Sequence, residues 1–419
     1  MGATETHRAI EAVCKIESAR LIAGLTRIVR DVGVAEELAQ DALVAALEKW
    51  PESGIPENPG AWLMGTAKHR AIDFLRRGTL IDRKHEDFGR EMAEREMQVP
   101  DLAAVMDDNI GDDMLRLVFI ACHPVLSTEA RVALTLRLLG GLNTDEIARA
   151  YLSSEPTIAQ RIVRAKRTLS EAQVPFEVPR GAEFNARLAS VLQVIYLIFN
   201  EGYSATAGDD WMRPALCEEA LRLGGILAGL VPGEPEVHGL VAMMEIQASR
   251  SKARVNAAGE PVLLLEQDRA KWDRLLIGRG LAALERAERL GPVRGPYAIQ
   301  AAIAACHARA VTAGDTDWSR IAALYSELGH IEPSPVVELN RAVAVSMASG
   351  PAAGLELVDV LKDDPALKNY HLLPSVRGDL LKKLGRRHEA RMEFERAASI
   401  TRNARERNLL LDRARACGD

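Results

Sequence analysis

Thr157, Gln160, Arg161, Arg164 and Arg167 recur along residues 155–169, a stretch that reads as one helix. Their side chains suit recognition of nucleic acid. Arginine offers paired donors to guanine O6 and N7, glutamine matches adenine N6 and N7, and a threonine hydroxyl serves either. They fall off the face formed by Ile158, Ile162, Ala165 and Leu169, whose spacings of four, three and four residues place them on one side of a helix. A helix with core on one face and cations and amides on the other suits a DNA major groove. The same pattern also fits a surface helix with a solvated basic face. Either way the chemistry is non-covalent. No GxxxxGKS/T, HExxH, GxSxG or GxGxxG pattern occurs, and no catalytic residue, metal site or cofactor is expected.

The elements around this helix are legible from their punctuation. Gly140-Gly141 ends a preceding helix carrying Val132, Leu134, Leu136, Leu138 and Leu139. Thr144 is the expected N-cap of a short helix, with Asp145 and Glu146 in its first turn, where the helix dipole favours anions. Ile147, Ala148, Tyr151 and Leu152 give that helix an apolar face. Ser153-Ser154 turn the chain, Ser154 caps the next helix, and Pro156 sits in its first turn. The order is that of a helix-turn-helix.

Upstream, the spacing predicts helices over 8–32 and 35–50, with Asp31 to Gly33 ending the first. The stretch 51–60, with three prolines and two glycines, predicts a structured loop. A third helix is expected over 61–77. Trp62, Leu63, Ala67, Ala71, Phe74 and Leu75 would face inward, and Lys68, His69, Arg70, Asp73, Arg76 and Arg77 outward. Residues 82–113 hold eleven Asp or Glu against four Lys or Arg, and read as a mobile tether. Residues 174–181 form the next joint. Beyond it every segment reads as an amphipathic helix. Leu384-Gly385, Ala390, Phe394 and Ala397-Ala398 suit stacked antiparallel helices, so a degenerate helical-repeat domain and a non-repetitive bundle are both open.

Composition bounds these readings. The 419 residues are 47% hydrophobic, 27% charged and 4% aromatic, which favours a helical protein of several domains. A net charge of −6 excludes a general polyanion binder, so any nucleic-acid contact must be local. The five cysteines show no CxxC spacing. In Cys122-His123 and Cys306-His307 adjacent helical side chains diverge, so buried thiols are expected rather than metal ligands. No apolar run approaches the ~18–20 residues that span a bilayer, and no signal peptide is evident, so a cytoplasmic protein without a membrane partner is expected.

Taken together, EELAQDALVAALEKWPESGIPENPGAWLMGTAKHRAIDFLRR (36–77) and 115–169 resemble regions 2 and 4 of extracytoplasmic-function sigma factors. YLIFNEGYSA (196–205), LLLEQDRAKWDR (263–274), GPYAIQAAIAACHA (295–308), TDWSRIAALY (316–325) and 334–351 resemble the subgroup with a C-terminal tetratricopeptide-like extension. The resemblance implies an all-α fold. Its parts are a region 2-like module over 1–80, an acidic linker over 81–112, a region 4-like helix-turn-helix over 113–175 and a tetratricopeptide-like domain over 181–419.

Its implied partners are core RNA polymerase and promoter DNA. Glu37, Gln40 and Asp41 would face the polymerase. Asn58, Trp62, Lys68, Arg70, Arg76 and Arg77 would hold the melted minus-ten element. Thr157, Gln160, Arg161 and Arg164, with Lys166 and Arg167 on the backbone, would read the minus-thirty-five element. Trp62 suits base stacking and core packing alike, and Asp73 suits a pair with Arg70 or Arg77. The blocks at 267–269, Trp272 and 316–318 fit either capping and packing or contact of the extension with the DNA-binding modules. A helix-turn-helix regulator with a sensing domain, and a repeat scaffold, are the alternatives.

Overall fold

The computed structural model describes residues 3–86, 110–151, 153–291 and 294–418. Among these the protein is all-α, with eighteen α-helices and two strands of two residues each. It divides into two compact units, Met1–Val194 and Ile195–Asp419.

The first unit holds α1 (Ala3–Val29), α2 (Val32–Ser53), α3 (Pro59–Glu86), α4 (Ile110–Ala121), α5 (Thr128–Leu138), α6 (Thr144–Ala150) and α7 (Glu155–Glu171), with the start of α8 (Ala182–Tyr203). Asp31 does not close α1 so much as open α2: its carboxylate accepts from the Gly33 and Val34 amides at 2.7 and 3.0 Å. The 51–60 loop is shorter than expected. Pro51 lies in the last turn of α2, where a missing amide costs one bond rather than a helix, and Gly54 then ends it by donating to the Trp50 carbonyl at 2.9 Å.

Leu63, Ala67 and Ala71 of α3 are buried, but Phe74 and Leu75 are 43% and 42% exposed, against expectation. Periodicity identifies a face, not how far along the helix that face is covered.

Of the acidic stretch, 82–86 continue α3 and 110–113 open α4. Asp113 is buried, with Arg27 of α1 at 3.3 Å and Arg116 at 2.7 Å. Burial raises its pKa, and the two guanidiniums oppose that rise. The tether expected between those helices falls on 87–109, outside the described residues.

The division into units falls within α8 rather than at 174–181. The first half of α8 is tied to the N-terminal unit: Arg187 donates to the Phe119 carbonyl at 3.0 Å and the Ser190 hydroxyl to that of Cys122 at 2.7 Å. Among the described residues α8 is the one helix long and apolar enough to span a membrane by length and composition. Glu183, Arg187 and Glu201 interrupt its apolar run in the sequence. Its buried bonds to α4 and the turn after it are those of a core helix.

The second unit continues with β1 (Ala207–Gly208), α9 (Pro214–Leu230), α10 (Pro235–Ala248), α11 (Arg274–Leu290), α12 (Pro296–Arg309), α13 (Trp318–Ile331), α14 (Pro335–Ser349), α15 (Pro351–Leu361), α16 (Leu372–Lys383), α17 (Arg387–Ile400), β2 (Arg402–Asn403) and α18 (Ala404–Arg415). Most of these helices pack chiefly on their sequence neighbours, but α12 packs chiefly on α10. Gly239 of α10 shows how closely they approach: a Cβ there would lie 2.6 Å from the Ala298 amide nitrogen of α12. Ala390, Phe394, Ala397 and Ala398 of α17 are buried as their spacing predicts. The parallel pairing of β1 with β2 joins distant parts of the unit, and the Asn403 amide donates to the Ala205 and Asp210 carbonyls at 3.1 and 2.8 Å.

Candidate nucleic-acid interface

The helix-turn-helix is built by local chemistry. Gly141 takes φ +64°, a left-handed conformation glycine adopts without a Cβ clash, and the Leu142 amide returns to the Leu136 carbonyl at 3.1 Å. The cap of α6 is Asn143, one residue before the Thr144 expected. Its side chain accepts from the Glu146 amide while the Glu146 carboxylate accepts from the Asn143 amide, each at 2.8 Å, a reciprocal capping box. Ser154 caps α7, accepting from the Thr157 amide at 3.3 Å, with Pro156 in the first turn.

Ile158, Ile162, Ala165 and Leu169 are buried, as their spacing predicts. This leaves Thr157, Gln160, Arg164 and Arg167 exposed and Arg161 half-buried. Arg161 lies near Glu129 of α5, whose carboxyl pKa is lowered chiefly by its own backbone amide and Ser127, with a smaller part from Arg161. Arg167 is paired with Glu171 at 2.6 Å. Val163 is 63% exposed among these polar groups.

Lys166 behaves differently. Its ammonium is ion-paired with Glu36 of α2, a buried carboxylate that also pairs with Arg137 of α5 at 2.6 Å and accepts from Gln40 at 3.1 Å. Arg137 donates onward to the Leu142 carbonyl at 3.3 Å. One buried anion thus joins α2, α5 and α7. With the Arg27–Asp113 pair, it holds the two modules of the N-terminal unit together.

The residues assigned around α3 do not form one surface. Asn58 is the N-terminal cap of α3, accepting from the Ala61 amide at 3.0 Å, and its side chain is exposed. Asn58 and Lys68 share a cavity of about 630 Å³ with Arg20, Arg27 and Met64. Trp62 is half-buried, edge-on to the buried Trp50 at 5.3 Å, with the Lys49 ammonium 6.0 Å from its ring. Arg70 pairs with Asp41 of α2 at 3.1 Å rather than with Asp73. Arg76 is exposed, and the Arg77 side chain lies outside the described residues.

Glu37, Gln40 and Asp41 are exposed along α2, and Val44 and Leu47 extend that surface as exposed apolar groups. Spacings of four and three from Glu37 to Asp41 to Val44 place these on one face. In the sequence the core stripe of the same helix is the stronger pattern.

Comparison with known proteins matches this architecture. Residues 17–80 match Sigma-70 region 2 and residues 116–169 match Sigma-70 region 4. Residues 187–288 match a family of unknown function (DUF6596). Regions 2 and 4 on one chain, built as helical modules, define a sigma factor of the extracytoplasmic-function-like class. The chain belongs to the same family as an uncharacterized protein of Rhizobium meliloti, to which it is 44% identical over 91% of its own length and 89% of the relative's. It is 28% identical to the ECF RNA polymerase sigma factor SigK of a Mycobacterium species, over 34% of this chain and 72% of that one. It is 25% identical to the probable ECF RNA polymerase sigma factor SigI of Mycobacterium tuberculosis, over 41% of this chain and 58% of that one.

Proposed function

We propose that this protein binds core RNA polymerase and directs it to specific promoters. The observation that carries the reading is the outward face of α7, which sets Thr157, Gln160, Arg161 and Arg164 opposite a fully apolar inner face on a helix-turn-helix. Those four side chains read the minus-thirty-five duplex, Arg167 touches phosphate, and Val163 offers an apolar contact to a thymine methyl. Lys166 reaches DNA only if its pair with Glu36 opens. The α2 surface of Glu37, Gln40, Asp41, Val44 and Leu47 docks on the polymerase.

In the minus-ten region Asn58 and Lys68, beside Arg20 and Arg27, bind the separated strand. Arg76 and Arg77 hold phosphates, Arg70 joins them by leaving Asp41, and Trp62 braces the site from Trp50. Such binding captures the open strand by differential affinity and requires no covalent step. The C-terminal unit is a tetratricopeptide-like extension that supports or regulates this activity.

The test is transcription by purified core polymerase with and without the full chain, with start sites mapped across genomic DNA. New, chain-dependent starts that share upstream sequence are expected. Operator-like binding of duplex by the chain alone, with no new starts, would instead make it a conventional regulator.

A further inference from the structure

The C-terminal unit contains a group of cations that the promoter reading does not use. Arg254 is buried, with its guanidinium carbon 3.5 Å from the centre of the Tyr203 ring and 5.7 Å from that of Trp211. Arg250 lies 5.7 Å from the Tyr203 ring and 5.8 Å from that of Trp272, and bonds the Tyr203 hydroxyl and the Gln247 carbonyl oxygen. Arg269, also buried, lies 4.7 Å from the Trp272 ring. Tyr203, Trp211 and Arg250 are part exposed. All of these residues fall within the 187–288 match.

Part of this arrangement is structural. Arg269 donates to the His307 and Ala310 carbonyls and to the Thr316 hydroxyl, fastening the end of α12. Asp268 and Asp317 cap their own helices, and Trp318 packs on His307 at 5.1 Å. Capping and packing therefore account for the sequence blocks at 267–269 and 316–318.

They do not account for the charge. Among the described residues the contacts of these three arginines are to carbonyls, hydroxyls and aromatic rings, while Glu201 and Glu245 pair with Arg213 and Arg279. The carboxylate that acts on Arg269 from a distance, Asp315, is engaged by Thr312. Arg254 Nε, Arg269 Nε, Trp272 Nε1 and His307 Nδ1 are buried without a hydrogen-bond partner. Aromatic faces attract cations but do not neutralise them, and buried charges ordinarily find a counter-charge. Burial, and then the charges of Arg250 and Arg269, hold the His307 imidazole down to about 4, so it adds no charge at neutral pH.

We propose that Arg250, Arg254, Tyr203 and Trp272 form a binding site for a small oxyanion, the phosphate or carboxylate group of a soluble compound. The anion supplies the missing counter-charge and accepts from the guanidinium and indole donors left open.

Thermal unfolding of the full chain tests this, with inorganic phosphate and citrate as probes and sodium chloride at matched ionic strength as control. A saturable rise in Tm is expected, about 3 °C at ten times the half-saturating concentration, and absent with chloride. A response to only one probe identifies the anionic group. Arg254→Met is expected to abolish the rise while matching or exceeding the wild-type Tm without anion, because it removes an uncompensated buried charge. If that variant does not fold, Arg250→Gln must likewise lose the rise. No saturable shift with either probe, or an equal shift in both variants, overturns the proposal.

Discussion

The helices α7 and α3 both carry cations assigned to DNA, but they dispose of them in opposite ways. On α7 a four-residue apolar stripe is buried, and Thr157, Gln160, Arg164 and Arg167 all emerge on the outside. On α3 the cations are divided among neighbours: Lys68 faces the cavity shared with Asn58, Arg70 reaches Asp41, and Arg76 stands in solvent. A helix that rests on its own module by one face leaves the other free as a unit. A helix lodged against two neighbours, as α3 is against α1 and α2, has its cations drawn to different partners. Lys166 is where α7 departs from its own pattern, because the turn that carries it abuts α2.

The largest effect should come from removing the anion that ties α7 to α2. Glu36→Ala leaves Arg137 and Lys166 without their shared partner and should lower the unfolding free energy by about 3 kcal/mol, read from denaturant midpoints. An unchanged midpoint would mean that the two modules do not depend on this clasp. Next, Arg164→Ala should weaken promoter binding by holoenzyme by about 2 kcal/mol if it reads a base. If it holds only phosphate, the loss would be the same on all sequences and the salt slope would fall by about one.

Ser154→Ala removes the cap of α7 and should cost about 1 kcal/mol of stability. Hydrogen exchange would then quicken in the first turn of α7, with α3 unchanged; equal quickening in α3 would erase the contrast between the helices. The smallest effect belongs to Arg70. Its pair with Asp41 is largely solvent-exposed, so Arg70→Ala should change stability by less than about 1 kcal/mol. A larger loss would show that this pair organises the module.

What the sequence made legible follows the same division. The buried stripe of α7, the Ser154 cap and the glycine break at 140–141 are set within a few residues of one another, and periodicity and cap chemistry report such features. The Glu36–Lys166 pair, the burial of Asp113 against Arg27 and the exposure of Phe74 depend on which helix lies alongside. No local pattern encodes that. The two-residue pairing of 207–208 with 402–403 is too short to carry any alternation, and Arg250, Arg254 and Arg269 of the C-terminal unit look in sequence like ordinary surface cations. The α2 surface is intermediate, since Val44 and Leu47 keep the rhythm of Glu37 and Asp41 but read as spare core residues.

Promoter recognition by this chain turns on the outward face of α7. The direct measurement is start-site mapping with core polymerase and either the wild-type chain or an Arg161→Ala, Arg164→Ala double variant that retains wild-type unfolding. Wild-type chain should produce a set of new starts with shared upstream sequence, and the double variant should lose those starts while still binding core polymerase. An identical set of starts at undiminished strength from the double variant would contradict promoter reading by α7.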